Sequence, residues 1–236
     1  MVITHHGGQC FKVTLGDLTL VFDPIGKGAT LPSVRFGADI ALVSRNHPDM
    51  NGISEVTYGE KKPFAITGPG EYERQGVVIQ GFLSHSKYPT SPKATQGEWL
   101  EYVNTIYAVK IEDMTLVHLG ALADKELSKE ARENIDEIDV LFVPVGGLPG
   151  QGGGVLTPAA AHELAVSLEP KIIIPMHWSR GGTSEGTQSV GQSTASLMAF
   201  LKEAGNGSEK VDKFTLKKKD LIGRDGSILV ITPAGR

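Results

Sequence analysis

Three short apolar runs in this chain each lead to a histidine, and that shared ending constrains the fold more than any other feature. Ala41-Leu42-Val43-Ser44 leads to His47, Met114-Thr115-Leu116-Val117 to His118, and Ile172-Ile173-Ile174-Pro175-Met176 to His177. Apolar runs of this length read as buried strands. In proteins that mix helices and strands, ligands and catalytic groups gather beyond the carboxyl ends of strands. A fold that lays the three runs together would bring three imidazoles and Asp49 to one rim. A single histidine carries little weight, because imidazole finds hydrogen bonds in any core; three with one placement carry more. The richest stretch is 41–52, where Arg45, His47 and Asp49 fall on alternate positions, a spacing that can aim side chains at one point.

The rest of the chain reads as strands first and helices later. Phe11 to Leu15 and Leu18 to Phe22 flank Gly16-Asp17, a two-residue connection that favours a primed hairpin turn. Further strands are expected over Asp39 to Val43, Pro63 to Thr67 and Gly76 to Leu83, with Gly68-Pro69-Gly70 as a turn. Ser84 to Tyr102 is polar, holds Pro89 and Pro92, and reads as a long surface loop of the kind that serves a site. Asn104 to Ile111 and Met114 to His118 form a second hairpin through Glu112-Asp113, followed by a charged helix over Asp124 to Glu137 and a strand from Ile138 to Pro144. Thr157 is the N-cap of a helix with Pro158 at its first position, and Pro170 stops that helix. A strand from Lys171 to Ile174, a helix from Ser193 to Ala204, and strands over Lys210 to Leu216 and Ser227 to Ile231 complete the reading. The glycine-rich stretches Gly146 to Gly154 and Gly181 to Gly191 lack the Lys-Ser/Thr pair of a phosphate loop and read as connectors or as a lid. The run Lys217-Lys218-Lys219 reads as a solvated turn.

Composition narrows the function classes. A chain of 236 residues, expected as a single domain over 1–236, buries a sizeable core. Net charge is −4, which leaves no basic footprint for a phosphate backbone, so no nucleic acid is expected as partner. No apolar run approaches the length of a membrane span, and Met1 to Gln9 lacks an apolar signal core, so the expectation is a cytoplasmic protein with no membrane partner. Cys10 stands alone, excludes an intrachain disulfide, and reads as a small buried hydrophobe.

Taken together, these motifs resemble the metallo-β-lactamase superfamily, whose signature at residues 44–50 is Ser-His-x-His-x-Asp-His. Phe22-Asp23-Pro24 is similar to its early Asp-Pro turn, His118-Leu119-Gly120 to its His-x-Gly-Asp, Val143 to Gly147 to its late strand and glycine turn, and Ile174-Pro175-Met176-His177 to its last ligand segment. The branch most resembled is that of the L-ascorbate-6-phosphate lactonase-like, zinc-dependent hydrolases. The resemblance implies an α+β fold, a four-layer αββα sandwich of two mixed β-sheets flanked by helices. It implies two metal ions holding a hydroxide that attacks an ester, lactone, amide or phosphate bond. The first site would keep His47 and His118 and have Arg45 in place of a histidine; the second would keep Asp49 and His177 and have Met50 in place of one. Ala121 stands at the bridging aspartate, and Gly8 where relatives carry an early histidine, just after His5 and His6.

Those replacements are chemically severe. Catalytic zinc takes three protein ligands and a water, so two ligands per site hold it weakly. A guanidinium repels a cation and does not deprotonate to become a ligand. A thioether prefers soft metals to zinc. Three readings follow. In the first, the dinuclear centre is degraded, classical two-metal hydrolysis is weak or lost, and the pocket binds a small ligand, for instance a phosphorylated one. In the second, His47, Asp49, His118 and His177 share one zinc, or Asp49 acts as general base, in an active hydrolase of a lactone or phosphoester. In the third, the protein has a structural or assembly role. Arg45 is expected to fill the space of the lost ligand and pair with Asp49. His85, Asn104, Trp178 and Arg180 are candidates to line the pocket, and His162 reads as structural or exposed.

Overall fold

The computed structural model describes residues 1–60, 62–88, 102–146, 154–178, 190–205 and 207–234, with 190–193 in backbone only. Arg180, the glycine-rich stretch 181–191 but for its last two residues, most of the 146–154 stretch and most of the 84–102 segment lie outside these residues.

The chain starts with β1 (Val2–His5), β2 (Phe11–Leu15) and β3 (Leu18–Phe22), an antiparallel meander. Gly16-Asp17 closes the β2–β3 hairpin with Leu15 opposite Leu18, and Gly16 takes a positive φ of 54°, as the primed turn requires. Then β4 (Ile40–Leu42) and β5 (Phe64–Ile66) add in parallel. The second sheet receives β6 (Gly70–Arg74), β7 (Val77–Ser86), β8 (Tyr102–Ile111) and β9 (Met114–His118), all antiparallel. Glu112 and Asp113 turn β8 into β9 with φ of 47° and 58°. After α1 (Lys129–Asn134), the parallel strands β10 (Val140–Pro144) and β11 (Ile172–Met176) follow, linked through α2 (Pro158–Ser167). The chain ends through α3 (Val190–Glu203), β12 (Glu209–Val211), β13 (Phe214–Thr215) and β14 (Ser227–Ile231). The first sheet runs β13-β1-β2-β3-β4-β5 and the second β12-β14-β11-β10-β9-β8-β7-β6, so both are mixed.

Period-two alternation sets the layers. Leu116, Phe142, Ile172 and Ile174 face the first sheet and pack with Phe11, Phe22 and Tyr107. Their neighbours Val117, Leu141, Val143 and Ile173 face the helices and pack with Leu164, Ala165 and Phe200. Both faces of β10 and β11 are therefore buried, which is why those strands read as unbroken apolar runs. Among the described residues the outer face of the first sheet is covered by loop residues and one 3₁₀ turn (Ile53–Val56), with Val21, Ile25, Ala41 and Val56 beneath. The expected α+β sandwich of two mixed sheets holds, with its described α-helices gathered on one side.

Several elements differ from the sequence reading. The charged helix is shorter, Lys129–Asn134, because the Ser128 hydroxyl caps it by accepting the Ala131 N–H, and Leu127 before it is drawn into the helix-side core. The run over 210–216 is two strands in different sheets, broken at Asp212-Lys213. The strand from Val77 extends to Ser86, into the segment read as loop. Lys217 precedes a second 3₁₀ turn (Lys218–Leu221), and Lys218 reaches the buried Asp139 carboxylate at 3.1 Å, where Lys171 also binds at 2.7 Å. No described helix is long and apolar enough to cross a membrane.

Candidate functional site

The carboxyl ends of β9, β10 and β11 lie at one edge of the second sheet because these strands are parallel. The residues following β4 arrive there from the first sheet, tied by the Thr105 N–H to the Ser44 carbonyl at 2.8 Å. Two glycines permit the close approach. A Cβ on Gly120, whose φ is 60°, would lie 2.5 Å from Asn104 Oδ1 and 2.6 Å from Ser44 Cβ. A Cβ on Gly146 would overlap the carbonyl of His177, a residue held in the left-handed region at φ 59°.

Tyr88 stands at the middle of the rim. Its hydroxyl donates to Asp49 Oδ2 at 2.7 Å, and its ring meets His47 and His177 edge-on, at centroid distances of 5.1 and 4.9 Å. Asp49 also accepts the Thr30 N–H at 2.6 Å and the Thr30 hydroxyl at 3.0 Å. His47 Nδ1 accepts the Asp49 N–H at 3.1 Å and lies 3.8 Å from Asp49 Oδ2, so the neutral ring carries its proton on Nε2. Met50 and Ala121 are fully buried and pack with Tyr88 and Val155 in a small apolar cluster. A cleft opens beside them, lined by Gly8, Gln9, Thr30, Leu31, Asp49 and His177 among others.

His118 is placed deeper. It is wholly buried, stacked on Phe22 at 4.8 Å, with Nε2 donating to the Gln9 carbonyl at 3.0 Å and Nδ1 accepting the Gly120 N–H at 3.2 Å. Burial pushes its pKa down to about 3, against the backbone bond to Gln9, and keeps the ring neutral. Asp23 sits 4.0 Å from it and accepts both the N–H and the hydroxyl of Ser44 at 2.7 Å. Burial raises the Asp23 carboxyl to about 7, outweighing those two bonds.

The other candidates separate. Arg45 does not pair with Asp49. Its guanidinium stacks 4.2 Å over the Tyr102 ring and binds the Tyr88 carbonyl and, at 3.4 Å, the Ser86 hydroxyl. Asn104 is a clasp, donating to Ser84 Oγ and the Leu119 carbonyl and accepting the Ala121 N–H. His85, expected at the pocket, instead lies half-exposed beside Asp124 at 3.5 Å, because it falls on the alternate face from buried Ser84 and Ser86. Trp178 is a correction too: it belongs to the helix-side core, its indole N–H bound to the Pro175 carbonyl at 3.1 Å. Tyr88, Thr30 and Gln9 were not singled out by the sequence, since none stands in a motif and Tyr88 falls inside a polar segment.

A family model described as a beta-lactamase superfamily domain matches residues 2–177. The chain belongs to the metallo-β-lactamase superfamily. It is 23% identical over 204 residues to the metal-dependent hydrolase YtkL of Bacillus subtilis, covering 75% of this chain and 86% of that protein. It is 25% identical over 205 residues to a metal-dependent hydrolase of Pelotomaculum thermopropionicum, covering 75% and 84%. A Thermotoga maritima structure, assigned to the Zn-dependent hydrolases of the superfamily, superposes with a TM-score of 0.69 at 28% identity, covering 98% of this chain and 97% of that one. Igni18, a metallo hydrolase of the archaeon Ignicoccus hospitalis, shares the fold with a TM-score of 0.61 at 14% identity.

Membership in the superfamily implies a metal centre at this rim. Among the described residues no group of three or more His, Cys, Asp or Glu side chains is placed to hold an ion. Both ring nitrogens of His118 are engaged by backbone, which leaves no lone pair for a metal.

Proposed function

We propose that this protein is a metallo-β-lactamase-fold relative that no longer runs two-metal hydrolysis and uses the rim as a binding pocket for a small molecule. The observation that supports this reading is Tyr88, whose hydroxyl takes Asp49 while its ring lies between His47 and His177. Where a charged centre would need oxygen and nitrogen donors, Met50, Ala121, Tyr88 and Val155 offer a thioether, a methyl group, a ring and an isopropyl group. Asp49 is satisfied by three donors from Thr30 and Tyr88 in place of a cation.

The test is metal analysis of protein purified without chelators, followed by assay on generic lactone and phosphodiester substrates. The reading expects no stoichiometric metal and no turnover above background. The relatives named as metal-dependent hydrolases support a second reading, a single zinc shared by His47, Asp49, His118 and His177. That arrangement requires Tyr88 to leave Asp49 and His118 to leave the Gln9 carbonyl. One equivalent of tightly held zinc with lactone or phosphoester turnover would establish it.

A further inference from the structure

Arg45 is 4% exposed and has no acidic partner among the described residues. Asp49, the acid of the rim, gives its carboxylate to Thr30 and Tyr88 instead. Of the guanidinium nitrogens, Nη1 donates to Ser86 Oγ and the Tyr88 carbonyl, while Nη2 is buried with no hydrogen-bond partner among the described residues. A buried cation without a counter-ion, carrying an unmet donor, is among the least favourable arrangements a fold can keep. Natural folds tolerate it where a ligand completes it.

We propose that Arg45 anchors a site for a small oxyanion, a phosphate or carboxylate group, bound through the Nη2 edge of its guanidinium. This rests on the reading of the rim as a binding pocket: Tyr88, which lines the rim cleft, also flanks the Arg45 guanidinium, and the oxyanion would be the charged group of that pocket's ligand. The planar fork matches two oxygens of such a group, which a lysine would meet only as a point charge. Its orientation is set before any ligand arrives. The Tyr102 ring lies beneath it at 4.2 Å, Tyr88 flanks it at 5.8 Å, and two oxygen acceptors hold Nη1, so little side-chain entropy remains to be lost on binding. Ser86, whose hydroxyl also accepts the Tyr88 N–H at 3.1 Å, fixes the chain that carries this wall.

The experiment is a thermal-unfolding titration with inorganic phosphate and, separately, with acetate, using chloride at matched ionic strength as control. The wild-type protein is expected to melt higher with saturable dependence on one or both oxyanions and not on chloride. Arg45→Gln is expected to lose that dependence and Arg45→Lys to weaken it. In the absence of oxyanion, Arg45→Met is expected to melt at or above the wild-type temperature, because an unpaired buried charge has been removed. A wild-type shift with phosphate alone identifies a phosphoryl ligand, and one with acetate alone a carboxylate. No saturable shift with either anion, or an undiminished shift in Arg45→Gln, would overturn the proposal. Should the variants fail to fold, crystals of the wild type grown in phosphate decide it: density at Nη2 supports the site and its absence refutes it. Metal content measured on the same preparation keeps the two readings apart. Bound metal with an Arg45-dependent shift sinks the non-hydrolytic reading alone, whereas no metal and no shift sinks the oxyanion site alone.

Discussion

At the scale of residues, Tyr88 decides what the rim can do, and its contribution can be measured. Tyr88→Phe removes a hydroxyl that donates to a buried carboxylate, so a loss of about 1–3 kcal/mol is expected in urea unfolding. An unchanged midpoint would show that Asp49 is already satisfied by Thr30. His5 offers a test with a definite sign. It is buried against Phe11, its ring nitrogens on the Ile231 and Gly8 carbonyls, and burial lowers its pKa from 6.5 to about 4. A folded-state pKa below the unfolded one gives stability that is present above pH 6.5 and lost as pH falls through that value toward 4. Replacing it by glutamine should therefore flatten the acid limb, removing about 3 kcal/mol of pH dependence across that window. Chemical unfolding at a series of pH values checks this, and parallel wild-type and His5→Gln profiles would contradict it. The sequence located His47, Asp49, His177 and Arg45, because strand ends announce themselves. It missed Tyr88 and Thr30, since a hydroxyl aimed across the fold leaves no periodic trace, and it took Trp178 for a pocket residue merely because it follows His177.

At the scale of elements, turn and cap chemistry was the readable part. Gly16-Asp17 and Glu112-Asp113 set two hairpins, and Thr157 with Pro158 set the start of α2. The Thr157 hydroxyl accepts the Ala160 N–H at 3.3 Å, so Thr157→Ala is expected to cost about 1 kcal/mol by urea unfolding; no change would mean that packing of α2 alone fixes its start. Strands β1 and β6 escaped notice for opposite reasons. β1 is four residues long and ends at His5, whereas β6 is a charged sheet edge, with Glu71, Glu73 and Arg74 exposed, whose composition discourages pairing with another chain. The helix expected over 124–137 is six residues long, because its charge resembles that of a solvated helix while Ser128 and the extended Ile135 bound it.

At the scale of the whole molecule, the two-sheet sandwich was legible because the order of motifs, and not any one of them, carries it. What the sequence left open was what surrounds Arg45, Met50 and Asp49. In the fold, the guanidinium is turned to Tyr102, a phenol sits on Asp49, and Met50 and Ala121 lie in an apolar cluster. If the scaffold is otherwise intact, Arg45→His, Met50→His and Ala121→Asp together should restore metal binding, seen as metal retained through desalting; a folded triple variant that holds none would mean the donor positions are misassigned. The most direct test remains elemental analysis of the native protein purified without chelators. Zinc, iron and manganese are each expected to fall well below one equivalent per chain. A pair of ions per chain, closely spaced in the anomalous scattering from its crystals, would contradict it.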